Sequence, residues 1–449
     1  MVASLLLMFA VAANGPVESW TGFLGGEGVQ LDASTLPLKW SPTENQPWVA
    51  AIPGFGQSSP AIWQGRAFVT SVEGPKKDEL IVSAYALADG KQLWSKRFPT
   101  SDPVTNGTFV SRAAPTPVVD KDGIYSFFES GDVVALSHAG EELWKFSLAN
   151  AYGKFTNEYG LAASPVQTAD SVIILIDHPQ GDSYLISMAK KDGSVLWKTD
   201  RTRRGSWTSP RMLTLGGKAT VVCSSAGTVD GYDPATGTRL WSHEGIGGNR
   251  ICTPSLTSNG LLLIGSQTSR EFPDADSVKK SNIALQVGRD NSQWSTKVAW
   301  RTEDFSPGMA SPMAHQGFAY WINRQGAVGC FRESTGEQVY SGRVAESPWA
   351  TPLGVGDRIY VFGKDGLTTV LAAGERFEIL AENRLWDPMS VKPDQSIIDR
   401  ETDPRRKAGA AMHALPEVMG VAAVNGSFLV RTGSQLHCLR YQSPTLPSR

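Results

Sequence analysis

Seven times along the chain a small hydroxyl residue stands before proline, and an apolar run follows: Ser59-Pro60, Thr116-Pro117, Ser164-Pro165, Ser209-Pro210, Thr253-Pro254, Ser311-Pro312 and Thr351-Pro352. Behind each comes a second apolar strand, and then a strand that ends in a turn and an aromatic residue. Self-similarity at this spacing is the mark of a repeat architecture. The last element is the most regular. Gly90-Lys91-Gln92-Leu93-Trp94, Gly140-Glu141-Glu142-Leu143-Trp144, Gly193-Ser194-Val195-Leu196-Trp197 and Gly237-Thr238-Arg239-Leu240-Trp241 share the glycine, the aliphatic and the tryptophan. Gly336-Glu337-Gln338-Val339-Tyr340 keeps the frame with tyrosine, and Val298-Ala299-Trp300 keeps the tryptophan without the glycine.

The glycine suits a tight hairpin that needs positive φ, and strand alternation would put the aliphatic and the indole on opposite faces. An indole buries about 150–250 Å², worth several kcal/mol at roughly 25 cal/mol/Å², so a ring of them can cement stacked units. Trp40, Trp94, Trp144, Trp197, Trp241, Trp300 and Tyr340 are therefore read as structural residues. With a degenerate unit near Leu380 the count is eight.

The segment Leu36 to Trp40 has no strands before it, whereas Val418 to Arg440 supplies three strands and no fourth. An N-terminal strand that completes the last unit closes a ring and removes its exposed edges. The expected fold is thus all-β, an eight-bladed β-propeller of four-stranded blades closed by the N-terminal strand, with seven blades as the alternative. The expected divisions are a signal peptide over residues 1–13, an N-terminal extension over 14–35, the propeller over 36–441 and a tail over 442–449.

The stretches Ala84 to Trp94 and Val229 to Trp241 resemble the tryptophan-docking repeat of pyrroloquinoline-quinone (PQQ) propellers, and the resemblance spans nearly the whole chain after Leu36. Two groups share that repeat: quinoprotein alcohol dehydrogenases, and non-catalytic relatives such as the propeller lipoprotein of the outer-membrane β-barrel assembly machinery. Membership of the first group implies a vicinal Cys-Cys disulfide over the quinone, a Glu/Asn/Asp set on calcium and a catalytic Asp. The four cysteines, Cys223, Cys252, Cys330 and Cys438, are scattered, and no motif places the calcium set. Neither PQQ nor calcium is expected, and the likeness is to the non-catalytic group. A lipobox cysteine, which that lipoprotein would carry, is missing near the N-terminus.

Composition narrows the function further. The 449 residues carry a net charge of −2, with 45 glycines, 14 tryptophans and 19% charged residues. That balance gives no electrostatic reason to expect nucleic acid or an anionic membrane as partner. Leu5 to Ala13 has the apolar core of a secretory signal and small residues where a peptidase would cut. Export to the periplasm or the extracellular space is expected, as a soluble monomer. Two short basic runs, Arg201, Arg203 and Arg204, and Arg405, Arg406 and Lys407, read as solvated loops. The six histidines show no metal-binding spacing, and no nucleophile, Walker or dinucleotide motif is present.

In propellers the loops that lead into each inner strand gather at one mouth of the central channel, where ligands usually bind. Arg112, Glu158, Trp207, Arg250, Trp349 and His413 precede inner strands and are the candidates to rim that mouth. Guanidinium groups beside indoles would suit carboxylates, sugars or a loop of a partner. The long insertion from Leu385 to Ala414 belongs to the same face and is expected to cover the mouth or touch a partner. The functional expectation is a non-enzymatic scaffold or binding module for a protein or a glycan, with a divergent quinoprotein oxidoreductase as the alternative.

Overall fold

The computed structural model describes residues 18–26, 29–104, 111–155, 160–269, 273–401 and 404–442. They form eight four-stranded antiparallel sheets. Seven are continuous in sequence: 61–99, 118–147, 166–201, 211–246, 255–301, 313–343 and 353–384, here blades 1 to 7. Blade 8 joins Gly420–Val424, Ser427–Arg431 and Gln435–Leu439 to the N-terminal strand Trp48–Ala51. The ring is thus eight-bladed and closed by the N-terminal strand. Inner strands of successive blades adjoin one another around the axis.

Blade stacking explains the sequence pattern. The second strand of each blade is covered on both sheet faces by neighbouring blades, so Ser171–Ile176 and Leu261–Ile264 are buried at every position and read as continuous apolar runs. Outer strands such as Gln293–Arg301 alternate instead between exposed positions and half-buried ones, with Trp300 buried.

The repeated glycine has two tasks. Gly193 takes φ +73°, and a Cβ there would lie 2.6 Å from the Trp144 ring of the preceding blade. Trp144 also donates from Nε1 across the blades to the Lys190 carbonyl, which belongs to the same blade as Gly193, at 2.7 Å. Trp94 on Gly140, Trp197 on Gly237 and Trp300 on Gly336 repeat the arrangement, with indole bonds to His138, Pro234 and Glu333 carbonyls. Blade 5 lacks the glycine, having Asn291 and Ser292 at its turn. Trp241, which would have used that seat, lies on Gly231 of its own sheet, and its buried Nε1 has no hydrogen-bond partner among the described residues.

Three details of the sequence reading change. The closing strand is Trp48–Ala51, not Leu36 to Trp40. It is Trp48 that lies on Gly90 and bonds the Leu87 carbonyl at 3.3 Å, whereas Trp40 is buried among Tyr360, Phe362 and Phe428. Alternation fails at the aliphatic before each tryptophan, because a register shift falls there in blades 1 to 7. Ala84 pairs with Trp94 and Tyr85 with Gln92, so Leu93 is the extra residue of a β-bulge and stays exposed. In blade 7 the bulged residue is Leu380, and Ala381 holds the tryptophan position. Finally, the insertion, which the sequence offered only as a long connection, contains helices Gln395–Arg400 and Pro404–Met412.

Candidate functional site

The hydroxyl-proline motifs form one edge of the mouth. The backbone N–H of Ser59 donates to Thr116 Oγ1 at 2.9 Å, Thr116 to Ser164 Oγ at 3.0 Å, and Ser164 to Ser209 Oγ at 3.0 Å. Ser209 then donates to Thr253 Oγ1 at 3.0 Å, and Thr253 to Ser311 Oγ at 2.9 Å. Each of these five hydroxyls, from Thr116 to Ser311, therefore satisfies a buried N–H of the blade before it, a group that would otherwise be orphaned where the inner strand begins. At the closure Gly420 takes the equivalent place, and a Cβ there would strike Ser59 Oγ at 2.3 Å.

Polar side chains on this face mostly hold the loops. Arg112, at φ +66°, is 4% exposed and donates from Nη2 to the Asp102 carbonyl at 2.7 Å and carboxylate at 3.2 Å. Lys154 reaches the other oxygen of Asp102 at 3.0 Å. Beside it Glu129, buried in the turn of blade 2, accepts from Ser111 Oγ, the Ala114 N–H and the Leu161 N–H. Burial pushes its carboxyl above the usual range against the pull of Arg112. Glu158 lies outside the described residues.

Two pairs of candidates meet. The Arg250 guanidinium lies 4.9 Å from the Trp207 ring centre, a cation–π distance. Trp207 donates from its N–H to the Arg250 carbonyl at 2.7 Å and from Nε1 to the Gly160 carbonyl at 3.0 Å, and Arg250 Nε donates to the Gly205 carbonyl at 2.8 Å. This pair ties three entry loops together. Across the ring, Trp349 and His413 pack at 5.6 Å, with Lys364 Nζ 5.7 Å from the same indole. Lys364 at 3.1 Å and His413 Nδ1 at 2.8 Å both reach Glu417, which is 2% exposed. Burial weighs against the Lys364 charge, but Asp365 and Glu417 hold the ammonium above its ordinary range. His413 thus anchors the helical insertion to the loop before blade 7.

The sequence reading missed two buried clusters. Arg201 and Arg204 belong to no solvated run. Arg201 bonds Tyr232 OH at 2.6 Å and Ser225 Oγ at 2.8 Å and pairs with Asp177 at 3.3 Å and Asp230 at 3.5 Å, while Arg204 reaches Asp230 at 3.7 Å. Burial opposes the Arg201 charge, and Asp177 and Asp230 outweigh it. Only Arg203 of that run is exposed. Arg431, fully buried, donates to the Ser58, Thr70 and Thr432 carbonyls at 3.1, 2.7 and 3.3 Å and to Ser58 Oγ, joining blade 8 to blade 1. Spacing in sequence gives no signal for either, since each cluster assembles residues from different blades.

The residues present do not fit a quinone site of the dehydrogenase kind. Cys223, Cys252, Cys330 and Cys438 are all buried thiols on separate segments. Among the described residues no group of three His, Cys, Asp or Glu side chains could hold a metal ion.

The family model described as outer membrane protein assembly factor BamB matches residues 24–175 and 154–255, just over half of the chain. The chain belongs to this family. A curated member from Moranella endobia (strain PCIT), an outer membrane protein assembly factor BamB, is 25% identical over 209 residues. The match spans about half of each protein, 46% of this chain and 47% of the relative. The crystal structure of BamB from Moraxella catarrhalis matches with TM-score 0.58 and 15% identity, over 88% of this chain and 99% of that one. A quinohemoprotein alcohol dehydrogenase from Comamonas testosteroni matches with TM-score 0.62 and 12% identity, over 97% and 83%. At such identities these two structures speak for the propeller fold alone.

Proposed function

We propose that this protein is an exported, non-enzymatic scaffold that binds other proteins during outer-membrane protein assembly, through the mouth that carries Trp207, Arg250 and Trp349. The observation that carries the reading is how the polar side chains of that face are used. Arg112, Glu129, Arg250 and Glu417 bond loop backbone or neighbouring side chains, so the face is a set of loops held rigid rather than a cup of convergent catalytic groups. Preorganised loops with indole surface suit recognition of a protein, because little ordering entropy is lost on binding. Family membership supports the same reading, as do the scattered cysteines, which argue against quinone chemistry.

The test has two parts. A photo-crosslinking residue in place of Trp207 or Trp349 should give a discrete protein adduct in the exported compartment, and loss of the gene should lower outer-membrane protein levels. Absence of adducts at both positions with normal outer-membrane proteins would overturn the proposal. Titration with PQQ and calcium should leave the melting temperature unchanged; saturable binding with a stability gain would instead revive the oxidoreductase reading, since a ligand that binds the folded state must stabilise it.

A further inference from the structure

The mouth opposite the hydroxyl-proline motifs is occupied by the chain itself. Trp20 forms an isolated antiparallel bridge with Ile62 of the inner strand of blade 1, with N–H to carbonyl bonds of 2.8 Å in both directions. The next residue continues to blade 2, where the Val119 N–H donates to the Thr21 carbonyl at 3.0 Å. Gln167 of blade 3 reaches that carbonyl at 3.4 Å and the Val119 carbonyl at 3.0 Å. The short 3-10 turn Phe23–Gly25 then lies against the inner strand of blade 8. Residues 20–25 therefore touch four blades through edges that a propeller leaves unpaired at its centre.

The contact has the chemistry of peptide recognition. Main-chain bonds to a free strand edge supply register, and a side-chain socket supplies selectivity. Here the socket holds the Trp20 indole, 3% exposed, in one apolar cluster with Ile62 and Val421. Its Nε1 has no hydrogen-bond partner among the described residues, which marks the seat as shaped for apolar ring surface. Two glycines permit the fit: a Cβ on Gly25, at φ +81°, would lie 2.7 Å from the Trp20 ring, and one on Gly22 would lie 3.1 Å from Val118.

We infer that the inner edges of blades 1 and 2 form a binding site for an extended peptide with a tryptophan anchor followed by a small hydroxyl residue and glycine. Residues 20–25 fill it as an internal ligand, and an extended segment of a partner with the same chemistry competes for it. Being tethered, the internal segment acts at an effective concentration that excludes weak competitors. The site is distinct from the mouth assigned to scaffolding above, so either proposal can fail alone.

The test uses the full chain and a fluorescent peptide with the sequence of residues 18–25. Trp20→Ala should empty the socket, so the peptide should bind this variant saturably and at least ten-fold more tightly than it binds the unaltered protein. The same peptide with alanine in place of tryptophan should bind neither. Amide exchange at Ile62 and Val119 should quicken at least ten-fold in Trp20→Ala and slow again when the peptide saturates. Equal peptide binding to both proteins, or no binding to the variant, overturns the proposal. Gly25→Ala, whose added Cβ falls on the indole, carries the same expectations and serves if Trp20→Ala does not fold.

Discussion

Replacing Arg431 with methionine should weaken the ring closure more than any change at an exposed arginine. The guanidinium is fully buried and makes four bonds, to the carbonyls of Ser58, Thr70 and Thr432 and to Ser58 Oγ. Burial pulls its proton affinity down to about 9, so it stays charged at neutral pH, and among the described residues no carboxylate pairs with it. Each hydrogen bond to a charged group contributes about 1.5–3 kcal/mol, against a desolvation cost of several kcal/mol for the ion. The balance favours the arginine only modestly, but its removal strands acceptors that water cannot reach. A loss of about 3–5 kcal/mol is expected, as for a buried charged network broken from one side. Arg203→Met, at a largely exposed pair of 3.9 Å, should change stability by no more than about 0.5 kcal/mol. Urea unfolding followed by tryptophan fluorescence compares the two, and exchange at Thr70 and Ser58 locates the damage. If Arg431→Met unfolds at the same urea concentration as the unaltered protein, the guanidinium is not what holds blade 8 to blade 1.

Acidification should act at the same closure. His437, opposite Val49 of the closing strand, is pushed down to about 4 by burial, from an ordinary 6.5. As pH falls, the unfolded chain takes up the proton first, so stability is lost between about 6.5 and 4, by up to about 3 kcal/mol; His437→Gln should flatten that part of the pH–stability curve, and an unchanged curve would show that another group is responsible. Gly193→Ala puts a Cβ 2.6 Å from the Trp144 ring at φ +73° and should cost about 2–3 kcal/mol, read by thermal unfolding; a neutral result would mean the indole has another seat. Thr253→Val removes the acceptor of the Ser209 N–H and should cost about 1–2 kcal/mol, with faster exchange of that one amide as the signature that separates it from general loosening.

Much of the architecture is local in origin, which is why it could be read from the chain. Glycine at positive φ, a hydroxyl before proline and apolar runs of strand length each act within a few residues, and their recurrence gave eight blades and the closure of the last by the N-terminal end. Boundaries failed where tertiary contact decided between similar choices. Trp40 and Trp48 are both tryptophans near the start of the propeller, but only Trp48, the first residue of the closing strand, pairs with Cys438 and reaches Gly90. The bulge at Leu93 shows the same limit, because alternation assumes a regular ladder.

The mouth was legible as a place and less so as chemistry. Sequence reasoning put Arg112, Trp207, Arg250, Trp349 and His413 in entry loops and treated them as groups facing a ligand. In the fold Arg112 is spent on Asp102, and Arg250 on Gly205 and the Trp207 ring. Arg201 and Arg431, one read as solvated and one not considered, are buried and bond residues of a neighbouring blade as well as of their own. What the sequence by itself determined was the repeat, since a blade is specified by short-range backbone preference and the burial of its middle strands. Whether a given arginine faces solvent or bridges two blades was decided only by the tertiary structure, because the partners that bridge, Ser225 and Tyr232 for Arg201 and Ser58 and Thr70 for Arg431, lie in another blade, from tens to hundreds of residues away in the chain, and meet only when the blades stack.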